Sequence, residues 1–247
     1  MTVNPDEFMA DEFKARHGYL PLSIQEEGYL AFCQKHHMKN PWTIWGEIRF
    51  RADPDHVVLF EQAINLVVQA HDILRTSFRY DGERWERAIA DSMVYSLPCH
   101  DIKDLEDAEK AEILENFSKL NRLAAFPVYV APLFRLNLIR VTGDEFVLFS
   151  TIEHLISDGL SSGFLLDQIF FIYQSLIDGE TNNAPAKPYL TSVRRKNPQK
   201  PCLFQENPGL LCRSAPRNDV FAMRAKPEEA IQIRVFWGFL RRTQLNE

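Results

Sequence analysis

Phe146-Val147-Leu148-Phe149-Ser150-Thr151-Ile152-Glu153-His154-Leu155-Ile156-Ser157-Asp158-Gly159 is the stretch on which the fold turns. An apolar, β-rich run ends at Ile152, Glu153 and His154 follow, Asp158-Gly159 turns the chain, and residues 161–176 form an apolar helical stretch that Asp178-Gly179 closes. A strand that hands one histidine to a strand-to-helix loop can present that side chain at a cleft. Histidine is also the side chain whose ordinary pKa suits proton transfer near neutral pH. Asp158 stands too near in sequence for a relay unless the loop folds back, so its expected task is to accept backbone or arginine hydrogen bonds that hold the loop. His-x-x-x-Asp-Gly alone is a weak pattern, because a lone histidine beside an apolar strand is more often a structural residue.

Working outward, Leu133–Val141 and Glu145–Ile152 are β-rich runs joined by Thr142-Gly143-Asp144, which predicts a hairpin. Residues 104–123 read as a charged helix whose buried side is marked by Leu105, Ala108, Leu114, Phe117 and Leu120. Leu74–Tyr80 reads as a strand ending in an Asp81-Gly82 turn. Asp53-Pro54 caps a helix with Val57, Phe60, Ile64, Val67, Val68 and His71 close to one face. Trp42–Phe50 alternates as a half-buried strand, with Trp42 and Trp45 packing on opposite faces. Upstream, Ser23 is placed to cap a helix, with Glu26 three residues on. Interleaved helices and strands with antiparallel hairpins predict an α+β lobe, a mixed sheet flanked by helices.

The 247 residues are 45% hydrophobic and 25% charged, a globular balance. Residues 187–247 carry 12 Lys and Arg against 5 Asp and Glu, a net of +7 that leaves −13 for the first 186. Prolines 185, 188, 198, 201, 208, 216 and 227 punctuate this part, and periodicity returns only at Ala230–Leu240, a strand or a short helix. Three segments are expected: a leader over 1–18, a lobe over 19–186 and an irregular basic tail over 187–247. No apolar run approaches the ~20 residues of a membrane span, and the acidic start lacks the apolar core of a signal peptide. A cytoplasmic protein with no membrane partner is expected.

Four motifs in order carry a resemblance. Ser23-Ile24-Gln25 after Pro21-Leu22 resembles the opening Ser-x-x-Gln motif of nonribosomal-peptide-synthetase condensation domains, shortened by one residue. Ala70-His71-Asp72-Ile73-Leu74-Arg75-Thr76-Ser77-Phe78 resembles their Arg-His-Glu-x-Leu-Arg-Thr-x-Phe motif, departing at Ala70 and Asp72. Ala131–Arg140 is similar to the strand before their active-site strand, and Glu153–Gly159 matches His-His-x-x-x-Asp-Gly except at its first position.

The resemblance implies the amino-terminal lobe of a chloramphenicol-acetyltransferase-like fold, with no counterpart to the second-lobe motifs between Leu190 and Glu247. It implies that His154 faces a tunnel between lobes as the catalytic residue. There it would assist an amine's attack on a carrier-bound thioester, as base or by orienting the nucleophile. Asp158 and Gly159 are implied as structural, with Arg75 a candidate partner of Asp158 and Gly159 allowing a tight turn. Glu153, Ser23, Gln25 and His71 support the motifs. For His71 a plain reading, a helix-end residue packed beneath the sheet, is as good. Glu153 should face away from the tunnel if His154 faces into it.

A peptidyl or acyl carrier protein is the implied partner, its phosphopantetheine arm a substrate and not a bound cofactor. A complementary lobe or a homo-oligomer would close the site. The alternatives are a catalytically silent remnant or carrier-binding module, and a coenzyme A-dependent O-acyltransferase. No metal is expected: the four cysteines at 33, 99, 202 and 212 are scattered, and His36-His37 has no spaced acidic or thiol partner. Arg194-Arg195-Lys196 lacks a recognition fold or an aromatic platform, so nucleic-acid binding is not expected. With no phosphate-binding glycine loop, direct ATP use is not expected either.

Overall fold

The structure, a computed structural model, describes residues 19–36, 42–123 and 125–179, and the strand backbones at 220–222 and 232–241. His37 and residues 187–219 of the expected tail lie outside this set, as does the leader.

A six-stranded mixed sheet organises the lobe in the order β5-β6-β7-β2-β9-β8. Its strands are β2 (Trp42–Arg51), β5 (Cys99–Asp101), β6 (Phe134–Arg140), β7 (Glu145–Glu153), β8 (Val220–Ala222) and β9 (Gln232–Arg241). β5 runs parallel to β6 and the other neighbours are antiparallel. A smaller antiparallel sheet joins β1 (Leu20–Pro21), β4 (Trp85–Ile89) and β3 (Thr76–Tyr80) in the order β1-β4-β3. The α+β class and the mixed sheet are as the sequence implies. The strand alternative holds for 232–241: this backbone pairs with β2 from Trp42↔Arg241 to Arg49↔Arg234, so part of the expected irregular tail belongs to the main sheet.

Helices flank the sheet on both faces. α2 (Val57–Ala70) and α4 (Gly159–Ile177) pack on one face, where Phe60, Ile64, Val67, Leu166, Ile169 and Phe170 meet Ile48, Phe50, Leu136, Phe146 and Leu148. α3 (Asp107–Arg122) covers the other face, with Leu114 and Phe117 against Ile139, Val147 and Phe149. Coverage on both faces explains why β7 is buried without interruption from Phe146 to Glu153. α1 (Ile24–Lys35) opens with the expected capping box between Ser23 and Glu26. At its far end Trp42 stacks on Phe32 with centroids 5.2 Å apart, while Trp45 packs under Arg122 of α3, so the two tryptophans do take opposite faces.

Three local expectations are corrected. Leu74 and Arg75 belong to a 3-10 turn, Asp72–Arg75, and β3 starts only at Thr76. The helix expected over 104–123 begins at Asp107, and of its five marker residues Leu105, Ala108 and Leu120 are exposed. Its inner face includes buried Ser118 and Asn121 instead, and Asn121 accepts from the Thr151 hydroxyl at 2.9 Å. Finally, α4 has the length and composition to cross a membrane, against the sequence expectation. Its packing explains the apolarity: Leu165, Leu166, Ile169, Phe170, Ile172 and Tyr173 are all buried in this core.

Candidate active site

β7 ends at Glu153, and His154 is the next residue. The Glu153 N–H donates to the Leu133 carbonyl at 2.9 Å, and the His154 N–H donates to the Trp42 carbonyl at 3.2 Å. The segment is therefore held by its neighbours on both sides up to the histidine itself. Leu155 and Ile156 then turn into the core, 8% and 7% exposed. Across residues 146–156 every residue is buried except His154, which is half-buried. The fold fixes this backbone firmly and leaves one imidazole at the surface of the lobe.

Glu153 is 0% exposed and accepts a hydrogen bond from the Tyr29 hydroxyl of α1. A carboxylate removed from water is expensive unless strong donors reach it. The pair leaves its mark nearby. Burial first, and then the charge of Glu153, raise the Tyr29 phenol far above its usual range. The same two causes push the Cys33 thiol up to about 11, so Cys33 is a buried, inert thiol.

Asp158 is the N-cap of α4. Its Oδ1 accepts the Ser161 N–H at 2.7 Å, and its carbonyl accepts the Ser162 N–H at 2.9 Å. Burial pulls its carboxyl upward, but the hydrogen bonds from Ser161 and the charge of His154 prevail and hold it below the ordinary carboxylate value. Next to it the Ser157 and Ser162 hydroxyls meet at 2.8 Å. Backbone donors hold the loop as expected, and among the described residues no arginine is seen to join them.

Arg75, 1% exposed, is committed elsewhere: Nη1 donates to the Val68 and Gln69 carbonyls at 2.8 and 2.7 Å, Nε to Ala90 at 3.0 Å, and Nη2 to Asp72 Oδ1 at 2.7 Å. Its role is to cap the open carbonyls at the end of α2, which have no partners within the helix. Gly159 also departs from expectation. Its φ is not positive, and a Cβ there would meet nothing within 4 Å, so the turn itself does not require glycine.

His71 takes the plain reading. It is 1% exposed at the end of α2, and Nε2 lies 2.5 Å from Gln168 Oε1 of α4. Ser23 serves the capping box, and Gln25 is exposed. Of the residues singled out from sequence, the structure brings together Glu153, His154, Asp158 and Gly159, and it leaves Arg75, His71, Ser23 and Gln25 in supporting positions. Sequence reasoning missed Tyr29: it lies 124 residues from Glu153, and no local pattern links them. The Asp158 cap did carry a signal, an Asp directly before an apolar helical run. Among the described residues no group of three or more His, Cys, Asp or Glu could hold a metal ion.

Comparison with known proteins places this lobe. The condensation-domain family profile matches residues 16–201, three quarters of the chain. Tyrocidine synthase 3 of Brevibacillus parabrevis is 33% identical over 179 residues, which is 72% of this chain and 3% of that protein. Phosphinothricin tripeptide synthetase PhsC of Streptomyces viridochromogenes is 29% identical over 171 residues, 69% of this chain and 16% of the relative. In three dimensions the first condensation domain of the calcium-dependent antibiotic synthetase, in complex with a substrate analogue, superposes with a TM-score of 0.59 at 19% identity, covering 70% of this chain and 42% of that one. The starter condensation domain of rhizomide synthetase gives 0.58 at 18% identity, covering 66% and 39%. The chain belongs to the condensation-domain family, an acyltransferase-type family, and spans about two fifths of these solved domains.

Proposed function

We propose that this chain supplies the histidine-bearing wall of a condensation-type acyl-transfer site of nonribosomal peptide synthesis. The acyl donor is a thioester on the phosphopantetheine arm of a carrier protein, and the acceptor is an amine or a hydroxyl. One observation carries the reading: His154 is the single residue of 146–156 left accessible, at the end of a strand that is otherwise sealed.

In the reaction the acceptor nitrogen attacks the thioester carbonyl carbon, a C–N bond forms and the C–S bond breaks. The proton lost by the amine passes to the His154 imidazole, which releases it to the departing thiolate. Holding both reactants against the histidine would supply much of the rate. Gly159 is exposed with open space where a Cβ would stand, so on this reading the arm would pass over it. A second lobe, or another copy of the chain, would close the opposite wall and exclude water. A cytoplasmic setting belongs to the same proposal.

A docking role without chemistry is the second reading. It is favoured by the position of the groove of about 420 Å³, which runs along α3 between Glu47, Arg49, Lys110 and Glu115 and includes no residue of 153–159. Incubating the full chain with an aminoacyl-loaded carrier and a free amine, and following amide by mass spectrometry, separates the two. Loss of product by about 100-fold or more in His154→Ala supports acyl transfer. Equal carrier binding by both proteins, with product from neither, supports docking.

A further inference from the structure

Tyr29 touches both Glu153 and Trp42, the residue that receives the His154 N–H. Its hydroxyl donates to the buried Glu153 carboxylate. Its ring also stands edge-on to Trp42, centroids 5.4 Å apart, and Trp42 is the residue whose carbonyl accepts the His154 N–H. The helix that presents Tyr29 is anchored in turn. The Ser23–Glu26 capping box fixes its start, and Glu26, 5% exposed, pairs with Arg87 at 3.1 Å. A short-range chain of contacts therefore runs from the small sheet through α1 to both residues at the end of β7. Glu153 stands where the resembled motif has its first histidine, and the phenol of Tyr29 is the donor that meets its carboxylate.

We propose that Tyr29 is a positioning residue for His154, acting through Glu153 and Trp42. Its hydroxyl holds the carboxylate and so the terminal β7 backbone, and its ring holds the tryptophan that receives the histidine's own N–H. The histidine is thereby held in its half-buried place at the end of β7. The kinetic consequence rests on the acyl-transfer reading, whereas the structural one does not.

Amide hydrogen exchange on the full chain tests the structural half. Tyr29→Phe keeps the ring and loses the hydroxyl, Tyr29→Leu loses both, and Glu153→Gln keeps an acceptor for the phenol. The Glu153 and His154 amides should exchange about 10-fold faster in Tyr29→Phe and faster still in Tyr29→Leu, while the Leu148 amide in mid-strand is unchanged. Glu153→Gln should stay near wild type. In acyl transfer Tyr29→Phe should lower kcat by about 10-fold with KM steady, because the reacting group is misplaced and substrate binding is not. Unchanged exchange at His154 in Tyr29→Phe, or equal loss of protection at Leu148, overturns the proposal. If His154→Ala leaves turnover intact, the acyl-transfer reading falls, and exchange at His154 still decides the positioning role.

Discussion

Asp158 Oδ1 lies 2.7 Å from the Ser161 backbone nitrogen, so the motif's aspartate is the cap of the helix that follows the histidine. Its contribution is then a cap's contribution. Asp158→Ala should lose about 1 kcal/mol of stability, whereas Asp158→Asn, also a good cap, should lose under about 0.5 kcal/mol. Urea denaturation at pH 7 distinguishes these outcomes. An aspartate that worked by pairing with an arginine would lose as much to Asn as to Ala. Because the folded carboxyl is depressed, its contribution is present above the ordinary carboxylate pKa and is lost as pH falls through the lower folded value.

Gly159 is the first residue of α4, with open space where a Cβ would stand. Gly159→Ala should therefore fold normally and gain up to about 0.5 kcal/mol, since alanine has less freedom to lose in the unfolded chain. If an acyl or acceptor arm passes beside His154, the added methyl obstructs it, and turnover falls while thermal stability holds or rises. Parallel loss of both in melting and product assays would place glycine's role in the fold instead.

Arg75 sits at a different point in the lobe from the one its motif suggests. Its fork closes α2 by way of the Val68 and Gln69 carbonyls, and reaches Asp72 and the Ala90 carbonyl just past β4. Arg75→Met leaves buried carbonyls without donors and should cost about 2–4 kcal/mol. Arg75→Lys keeps the charge but not the planar fork, and should recover only part of that. Chemical denaturation gives both values. At temperatures where these variants remain folded, turnover per folded molecule should match wild type, because no donor of Arg75 reaches Asp158.

The contrast between what the sequence shows and what it hides follows from distance along the chain. The β6–β7 hairpin, α2 and α4 are legible because Thr142-Gly143-Asp144, Asp53-Pro54 and Asp178-Gly179 punctuate long periodic runs. His154 is singled out by the order of four motifs along the chain, since an apolar strand ending in a histidine would by itself read as structural. The Asp72–Arg75 turn is not, because what stabilises it is Arg75 reaching back to carbonyls six and seven residues earlier. The inner face of α3 is misjudged because Ser118 and Asn121 are buried there, and a hydrophobic pattern gives no weight to buried polar residues. The pairing of β9 with β2 depends on a partner about 190 residues away, so alternation near 232–241 can suggest a strand but cannot name its neighbour.

His71 gives the lobe an acid-sensitive joint between α2 and α4. Gln168 Oε1 can only accept, so the neutral ring carries its proton on Nε2 and leaves Nδ1 buried with no partner. Burial lowers the imidazole's pKa in the folded state. Gln168 and Asp72 act against this and Arg75 adds to it. The unfolded chain therefore takes up a proton first as pH falls. Stability should decline from about pH 7 through the ordinary histidine pKa of ~6.5, and level off below the lower folded value. One such proton sets a slope of at most about 1.4 kcal/mol per pH unit. Replacing the ring by a side chain that does not titrate, His71→Asn, should flatten this part of the stability–pH curve while lowering stability at pH 7. A curve between pH 7 and 5 that keeps its slope in His71→Asn would assign the acid sensitivity to another group.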